Sequence, residues 1–141
     1  MKEKHQETFS DAVNAVPKVF PALLQAQKVA KRVEKGGWGF SSYEEAERKM
    51  AEELTELKAA RASGDKKKIA SELGDVLMCA VNLGREAGAD CEEALLDTVN
   101  KIKRRFTAYE KAVLADGRDV NALSEEEKEE YYRAVKEAEE K

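Results

Sequence analysis

Histidine, cysteine, proline and tryptophan are scarce in this 141-residue sequence, which has one histidine, two cysteines, two prolines and one tryptophan. A di-iron helical bundle needs Glu-x-x-His pairs, and a zinc site of the Cys/His type needs several such ligands. A single histidine, His5, excludes the first, and the same shortage excludes the second. Cys79 and Cys91 are expected to be free thiols in a reducing compartment and not a disulfide.

Long apolar runs, net positive charge and the common nucleotide-binding and serine-hydrolase signatures are also missing. No stretch approaches the roughly 18 apolar residues that cross a bilayer, and the N-terminus lacks the apolar segment of a signal peptide. A cytoplasmic protein without membrane contact is therefore expected. The net charge of −4 argues against nucleic-acid partners, because phosphate contacts need a basic face. Walker A, G-x-S-x-G and G-x-G-x-x-G sequences are absent.

Helical periodicity is present in every strong segment, and no segment alternates as a strand would. Charged residues make up 38% of the chain, which suits amphipathic helices with solvated outer faces. The predicted organisation is an N-terminal segment at 1–17, either a short helix or a partly ordered arm, a helical bundle at 18–116 and a C-terminal helical segment at 117–141. The fold class predicted is all-α, with a four-helix-bundle core and short terminal helices.

Caps and apolar stripes define the predicted helices. Ser42 with Glu45 and Ser124 with Glu127 form capping boxes, and Asp65 is placed to cap a third helix. The residues predicted to face the core on the second, third and fourth helices are Met50, Leu54 and Leu57, then Leu73, Val76, Leu77, Ala80, Val81 and Leu83 or Gly84, and then Ala94, Leu95, Val99, Ile102, Phe106 and Tyr109.

Two carboxylate pairs stand at the edges of these stripes, Glu53 with Glu56 and Glu72 with Asp75. Residues three apart share a helix face, and the Ser63–Asp65 break lets the two helices fold back on each other, so the pairs are expected to meet. Four neighbouring acids repel one another unless a divalent cation neutralises them. Carboxylates suit Mg²⁺, a cation that often shares phosphate oxygens. Composition alone leaves open a simple solvated acidic surface.

Two further features bear on ligands. The fourth helix carries a basic cluster, Lys101, Lys103, Arg104 and Arg105, which could neutralise phosphate charge. The loop at 36–42 holds Trp38 and Phe40. These aromatic residues either line a ligand pocket or form a hydrophobic plug at the end of the bundle.

The sequence of residues 21–106 resembles that of the MazG nucleoside triphosphate pyrophosphohydrolases of the all-α NTP pyrophosphatase superfamily. The resemblance runs through PALLQAQKVAKRV, KMAEELTELKAA, SELGDVLMCAVNLGREAGADCEEAL and NKIKRRF. Its signature is E-x-x-E followed by E-x-x-D. The ending SEEEKEEYYRAVK is similar to the segment that follows the catalytic bundle in that family.

The resemblance implies hydrolysis of a nucleoside or deoxynucleoside triphosphate to the monophosphate and pyrophosphate, with Mg²⁺, or Mn²⁺ as a substitute. It implies that Glu53, Glu56, Glu72 and Asp75 are the catalytic metal ligands and that the chain forms a homodimer or tetramer, with the bundle completed across the interface. Lys101 and Arg105 match the family's phosphate-binding positions. The other residues expected to bind substrate are Lys28, Trp38, Asn100 and Tyr132.

Three residues depart from the family pattern. Ile102 stands where phenylalanine is expected, and Val99 stands where asparagine is common, with Asn100 shifted by one position. Tyr132 falls where relatives often have tryptophan. The alternatives are a narrower substrate within the superfamily, such as phosphoribosyl-ATP or deoxycytidine triphosphate, or a non-enzymatic helical interaction module.

Overall fold

A computed structural model describes residues 7–140 of the chain, so His5 lies outside the described residues. Within this range the chain forms six α-helices and one short 3-10 helix, and it forms no strand. The elements are α1 Phe9–Asn14, α2 Ala22–Lys35, α3 Tyr43–Ser63, α4 Lys66–Glu86, α5 Cys91–Ala115, the 3-10 helix Val120–Ala122 and α6 Glu125–Glu139. The predicted all-α fold is confirmed.

The chain divides into two compact units between Glu92 and Glu93, in the first turn of α5. In the first unit α3 packs against α4, α2 packs against α4, and α1 packs on α2. In the second unit α5 and α6 share a core of Tyr109, Val113, Leu123 and Val135. The predicted domain bounds after residues 17 and 116 stay predictions.

The turn between α3 and α4 determines how the first unit folds. Gly64 ends α3 in the left-handed region, with a φ of 72°, which glycine adopts without steric cost. The Asp65 carboxylate then accepts hydrogen bonds from the backbone N–H groups of Lys67 and Lys68 and caps α4. A two-residue break between two 21-residue helices makes them neighbours along their length.

The predicted caps are largely confirmed. Ser124 and Glu127 form the complete capping box at α6. Ser42 caps α3 by accepting from the backbone N–H of Glu45, but the reciprocal bond is different from the one predicted. The Glu45 carboxylate accepts from the backbone N–H of Ser41, one residue earlier than a capping box requires.

The predicted buried faces are correct in part. Val81 and Tyr109 are buried. Other residues of the same stripes are between 38% and 54% exposed, and for these the prediction is wrong within a single chain: Leu54, Leu73, Leu77, Leu95, Val99, Ile102 and Phe106. Each stripe is broader than the strip that one neighbouring helix covers. The result is apolar surface on α3, α4 and α5.

No helix in residues 7–140 combines the length and apolarity needed to cross a membrane. Cys79 and Cys91 are both free thiols, as predicted. Burial raises the pKa of each thiol. Neither is therefore set up as a reactive thiolate.

Candidate metal centre

Three carboxylates meet where α3 packs against α4. Glu53 on α3 and Glu72 and Asp75 on α4 each offer an oxygen atom, and these three atoms lie within 4.8 Å of one another. Glu53 and Glu72 are partly buried, whereas Asp75 is exposed. The predicted meeting of acids from the two helices is present in the structure for these three residues.

The charges in this cluster oppose one another. The pKa of Glu72 is raised, first by burial and then by the negative charges of Asp75, Glu53 and Glu56. A divalent cation bound among the carboxylates would remove this repulsion and favour the ionised form. A set of oxygen donors without nitrogen or sulfur suits a hard cation such as Mg²⁺. The residues present therefore fit a magnesium site.

Glu56, the fourth predicted ligand, lies one turn beyond Glu53 on α3. It is exposed and outside the group of three whose oxygens lie within 4.8 Å. Its charge nevertheless contributes to the raised pKa of Glu72, so it belongs to the same electrostatic environment. Its role as a ligand stays a prediction.

Lys49 was not identified from the sequence, yet it contacts the cluster. Its Nζ lies 3.0 Å from Glu53 Oε1 and 3.7 Å from Glu52 Oε2. The hydrogen bond to Glu53 and the charge of that carboxylate raise the pKa of Lys49. In this structure Lys49 supplies part of the positive charge that the acids require. The i, i+4 spacing of Lys49 and Glu53 was the available signal.

The two predicted substrate-binding residues of the first unit line separate clefts. Lys28 lines a cleft of about 310 Å³ with Lys31 and Arg85 among its neighbours. Trp38 lines a smaller cleft of about 100 Å³. The Trp38 residue is 77% exposed, so it does not seal the end of the helices as the plug interpretation required.

The remaining predicted substrate residues lie in the second unit. Asn100 is exposed on α5, and Lys101 is partly buried. The Arg105 Nε donates to Glu139 Oε2 at 2.8 Å, and Arg104 Nε donates to the other oxygen of the same carboxylate at 3.3 Å. One carboxylate at the end of α6 thus holds two arginines of α5.

Tyr132, the proposed base-stacking residue, already has an aromatic neighbour. Its ring stacks on that of Phe106, with centroids 5.3 Å apart and planes 25° apart. The ammonium of Lys136 lies 5.9 Å from the centre of the Tyr132 ring. The Tyr132 ring therefore takes part in joining α5 to α6 in this structure.

The contact between α5 and α6 gives the chain an acid-sensitive link. Hydrogen bonding from Arg105 lowers the pKa of Glu139 below its usual value, so the ionised carboxylate stabilises the folded state. This contribution is present above the ordinary glutamate pKa and is lost as the pH falls through the lowered one. Glu139→Gln is expected to lower the Tm at pH 7, with a difference from wild type that shrinks as the pH falls below the ordinary glutamate pKa.

Thermal melts followed by circular dichroism measure this effect. Glu137→Gln is the matched control, since it removes the same charge from an exposed position two residues earlier on α6. Equal Tm values for the two variants at pH 7 would contradict the assignment of the link to Glu139.

The segment that carries the acidic cluster is similar in sequence to known proteins. Residues 41–108, which include α3, the turn and α4, match the family model described as the MazG nucleotide pyrophosphohydrolase domain. The chain is 34% identical over 137 residues to a nucleoside triphosphate pyrophosphohydrolase of Escherichia coli (strain K12), which covers 96% of this chain and 52% of that protein.

A second relative comes from Thermotoga maritima and is named nucleoside triphosphate pyrophosphohydrolase/pyrophosphatase MazG. It is 31% identical over 127 residues, which covers 90% of this chain and 49% of that protein. The chain thus spans about half the length of the relatives it matches. The matched segment contains all four predicted acidic ligands together with Lys101 and Arg105. By the family match and both relatives, this chain is similar to the MazG nucleotide pyrophosphohydrolases, with the match to the family's domain in residues 41–108.

Proposed function

We propose that this chain hydrolyses nucleoside or deoxynucleoside triphosphates to the monophosphate and pyrophosphate in a reaction that depends on Mg²⁺. The observation that carries the proposal is the convergence of Glu53, Glu72 and Asp75 from two helices, with oxygens within 4.8 Å. The match of residues 41–108 to the MazG nucleotide pyrophosphohydrolase domain supports the reaction type. The names of the two relatives support a nucleoside triphosphate as substrate.

Glu53, Glu72 and Asp75, together with Glu56, would hold the metal. When bound there, Mg²⁺ supplies Lewis acidity toward phosphate oxygens and positive charge for the pyrophosphate that leaves, and Mn²⁺ is expected to substitute. The carboxylates keep the cation beside the polyphosphate. Their own repulsion, visible in the raised pKa of Glu72, makes the site favour divalent cations.

The bonds that change are those at the α-phosphorus. A water oxygen forms a bond to this phosphorus, and the bond from it to the α,β-bridging oxygen breaks. The water loses a proton to a base, and pyrophosphate carries away the bridging oxygen. Glu52 lies beside the site, paired with Lys49 at 3.7 Å, and is a candidate for taking or relaying that proton.

Basic and polar side chains are proposed to bind the rest of the substrate. Lys101 and Arg105 contact phosphate oxygens, for which the guanidinium of Arg105 keeps donors beyond the one it gives Glu139. Lys28, Trp38, Asn100 and Tyr132 are the further substrate residues in this proposal. One face of the Tyr132 ring already stacks on Phe106, so a base would have to use the opposite face.

A homodimer or tetramer in the cytoplasm is part of the same proposal. The half-exposed leucines on α3, α4 and α5 support assembly, because contiguous apolar surface on a helix favours a covering partner. A second copy would cover it without any additional protein.

Product analysis in water enriched in ¹⁸O tests the proposed reaction. The expected result is label in the nucleoside monophosphate and none in pyrophosphate, because water attacks the α-phosphorus. Label in inorganic phosphate with formation of a diphosphate would contradict it. A panel run under equal conditions, with deoxycytidine triphosphate and phosphoribosyl-ATP beside the common triphosphates, measures base preference. If the protein hydrolyses no nucleotide of the panel, the result would favour the alternative of a non-enzymatic helical interaction module.

A further inference from the structure

The cleft beside Trp38 lies on the same face of α4 as the acidic cluster. Asp75, Met78, Asn82 and Arg85 follow each other at i, i+3, i+7 and i+10, which places them in one row along the helix. The last three line the cleft, whereas Asp75 belongs to the cluster. Asp75 and Asn82 are about 10 Å apart along the helix axis, at 1.5 Å per residue. This separation is comparable with that between the polyphosphate and the base of an extended nucleotide.

The loop that carries Trp38 has a backbone held by a hydrogen bond to α2, whereas the Trp38 side chain is exposed. The backbone N–H of Trp38 donates to the carbonyl of Val33 at 3.1 Å, which folds the loop onto the end of α2. At Gly39 a Cβ atom would lie 2.9 Å from Glu34 Cγ, so the loop backbone packs directly on the side chain of Glu34 of α2. The Trp38 residue is nevertheless 77% exposed. An anchored backbone with an exposed indole is an arrangement suited to stacking on a planar ligand.

The chemistry of the cleft matches a heteroaromatic ring. Its apolar walls come from Ala30, Val33, Phe40 and Met78, and its polar groups are the amide of Asn82 and the ion pair of Glu34 with Arg85, whose atoms are 2.7 Å apart. A nucleobase has apolar faces and a polar edge with donors and acceptors, which these groups can satisfy. A volume of about 100 Å³ is below the range for a whole ligand of drug size, so the cleft suits one fragment of the substrate.

We propose that this cleft is the base subsite of the nucleotide, with Trp38 stacking on the base and Asn82 bonding its polar edge. The inference rests on the proposed function, because it assumes polyphosphate at the acidic cluster. It adds Asn82 and the Glu34–Arg85 pair to the residues that determine specificity. These polar groups of α2 and α4 then decide which bases are accepted.

Trp38 is the single tryptophan of the chain, so its fluorescence reports directly on the cleft. The probe is an α,β-imido nucleoside triphosphate with Mg²⁺, which lacks the scissile oxygen bridge. Quenching is expected with this analogue and not with imidodiphosphate, which has phosphates but no base. N-acetyltryptophanamide corrects for absorption by the base. Binding of the analogue seen by calorimetry without quenching, or equal quenching by imidodiphosphate, would overturn the proposal.

Kinetics of variants give an independent test. Trp38→Leu is expected to raise KM for the triphosphate about 5- to 150-fold with little change in kcat, since base stacking is worth roughly 1–3 kcal/mol. Asn82→Ala is expected to raise KM about 2- to 13-fold, since one hydrogen bond contributes roughly 0.5–1.5 kcal/mol. Val19→Ala is the matched control, because Val19 is 89% exposed in the same unit and does not line the cleft. Unchanged KM in both variants, with wild type releasing pyrophosphate, overturns the base subsite alone. Absence of pyrophosphate release from wild type counts against the proposed function, and the fluorescence titration then still decides whether the cleft binds a base.

Discussion

Replacing Asp75 with asparagine is expected to lower kcat/KM for nucleoside triphosphate hydrolysis by more than about 100-fold. Loss of a residue that only orients a metal ligand typically costs 10- to 100-fold, and Asp75 is proposed as a ligand itself. Its oxygen lies within 4.8 Å of those of Glu53 and Glu72, so its loss removes one of three convergent donors. Glu53→Gln and Glu72→Gln are expected to give losses of the same order.

Glu56→Gln decides whether the fourth acid is a ligand. A loss as large as that of Asp75→Asn would support a four-carboxylate site, and wild-type activity would limit the site to the three clustered acids. Glu47→Gln is the matched control, because Glu47 is an exposed glutamate of α3 outside the cluster. Steady-state rates of pyrophosphate release measure all five variants. Activity of Asp75→Asn equal to that of Glu47→Gln would contradict the proposed site.

Magnesium is expected to raise the Tm of the wild-type chain strongly. The Glu72→Gln variant is expected to have a higher Tm than wild type without metal and a weaker response to Mg²⁺. A ligand at 100 times its Kd stabilises the state that binds it by about 2.7 kcal/mol. For a chain of this size that corresponds to a rise of roughly 5–10 °C. The burial and the three neighbouring acids that raise the Glu72 pKa also make its ionised form unfavourable without metal. Glu72→Gln should therefore melt at a higher temperature than wild type in EDTA and respond weakly to Mg²⁺.

Melting curves in EDTA and in excess Mg²⁺ measure both effects together. Glu47→Gln again serves as the control, with the Tm and the Mg²⁺ response of wild type expected. The opposite order in EDTA, with Glu72→Gln less stable than wild type, would contradict the repulsion in the cluster. A wild-type Tm that does not respond to Mg²⁺ would contradict metal binding by the folded chain.

Local sequence information was sufficient for the helices and for most of the acidic cluster. Gly64 and Asp65 end one helix and begin the next through backbone conformation and capping, both of which depend on residue type at single positions. Once those two helices are neighbours, the i, i+3 spacing brings Glu53, Glu72 and Asp75 together. For the same reason the sequence alone predicts the meeting of these three acids.

Contacts between distant segments could not be obtained in this way. The Glu34–Arg85 ion pair and the Arg105–Glu139 contact join residues 51 and 34 positions apart, and no local pattern specifies such partners. The exposure of Leu54 and Leu77 was also missed, because periodicity shows that a face is apolar but not how much of it a neighbour covers. Trp38 illustrates the same limit, since its 77% exposure argues against the plug interpretation and no local pattern indicates how far a loop side chain is covered.

Pyrophosphate release by wild-type protein, first stripped with EDTA and then titrated with Mg²⁺, tests the central claim most directly. The account predicts no release without metal and a saturable rise on addition of Mg²⁺, with one monophosphate formed for each pyrophosphate. The acidic cluster between α3 and α4 is the reason for this dependence. Turnover that persists without divalent metal, or none at any Mg²⁺ concentration across the nucleotide panel, would contradict it.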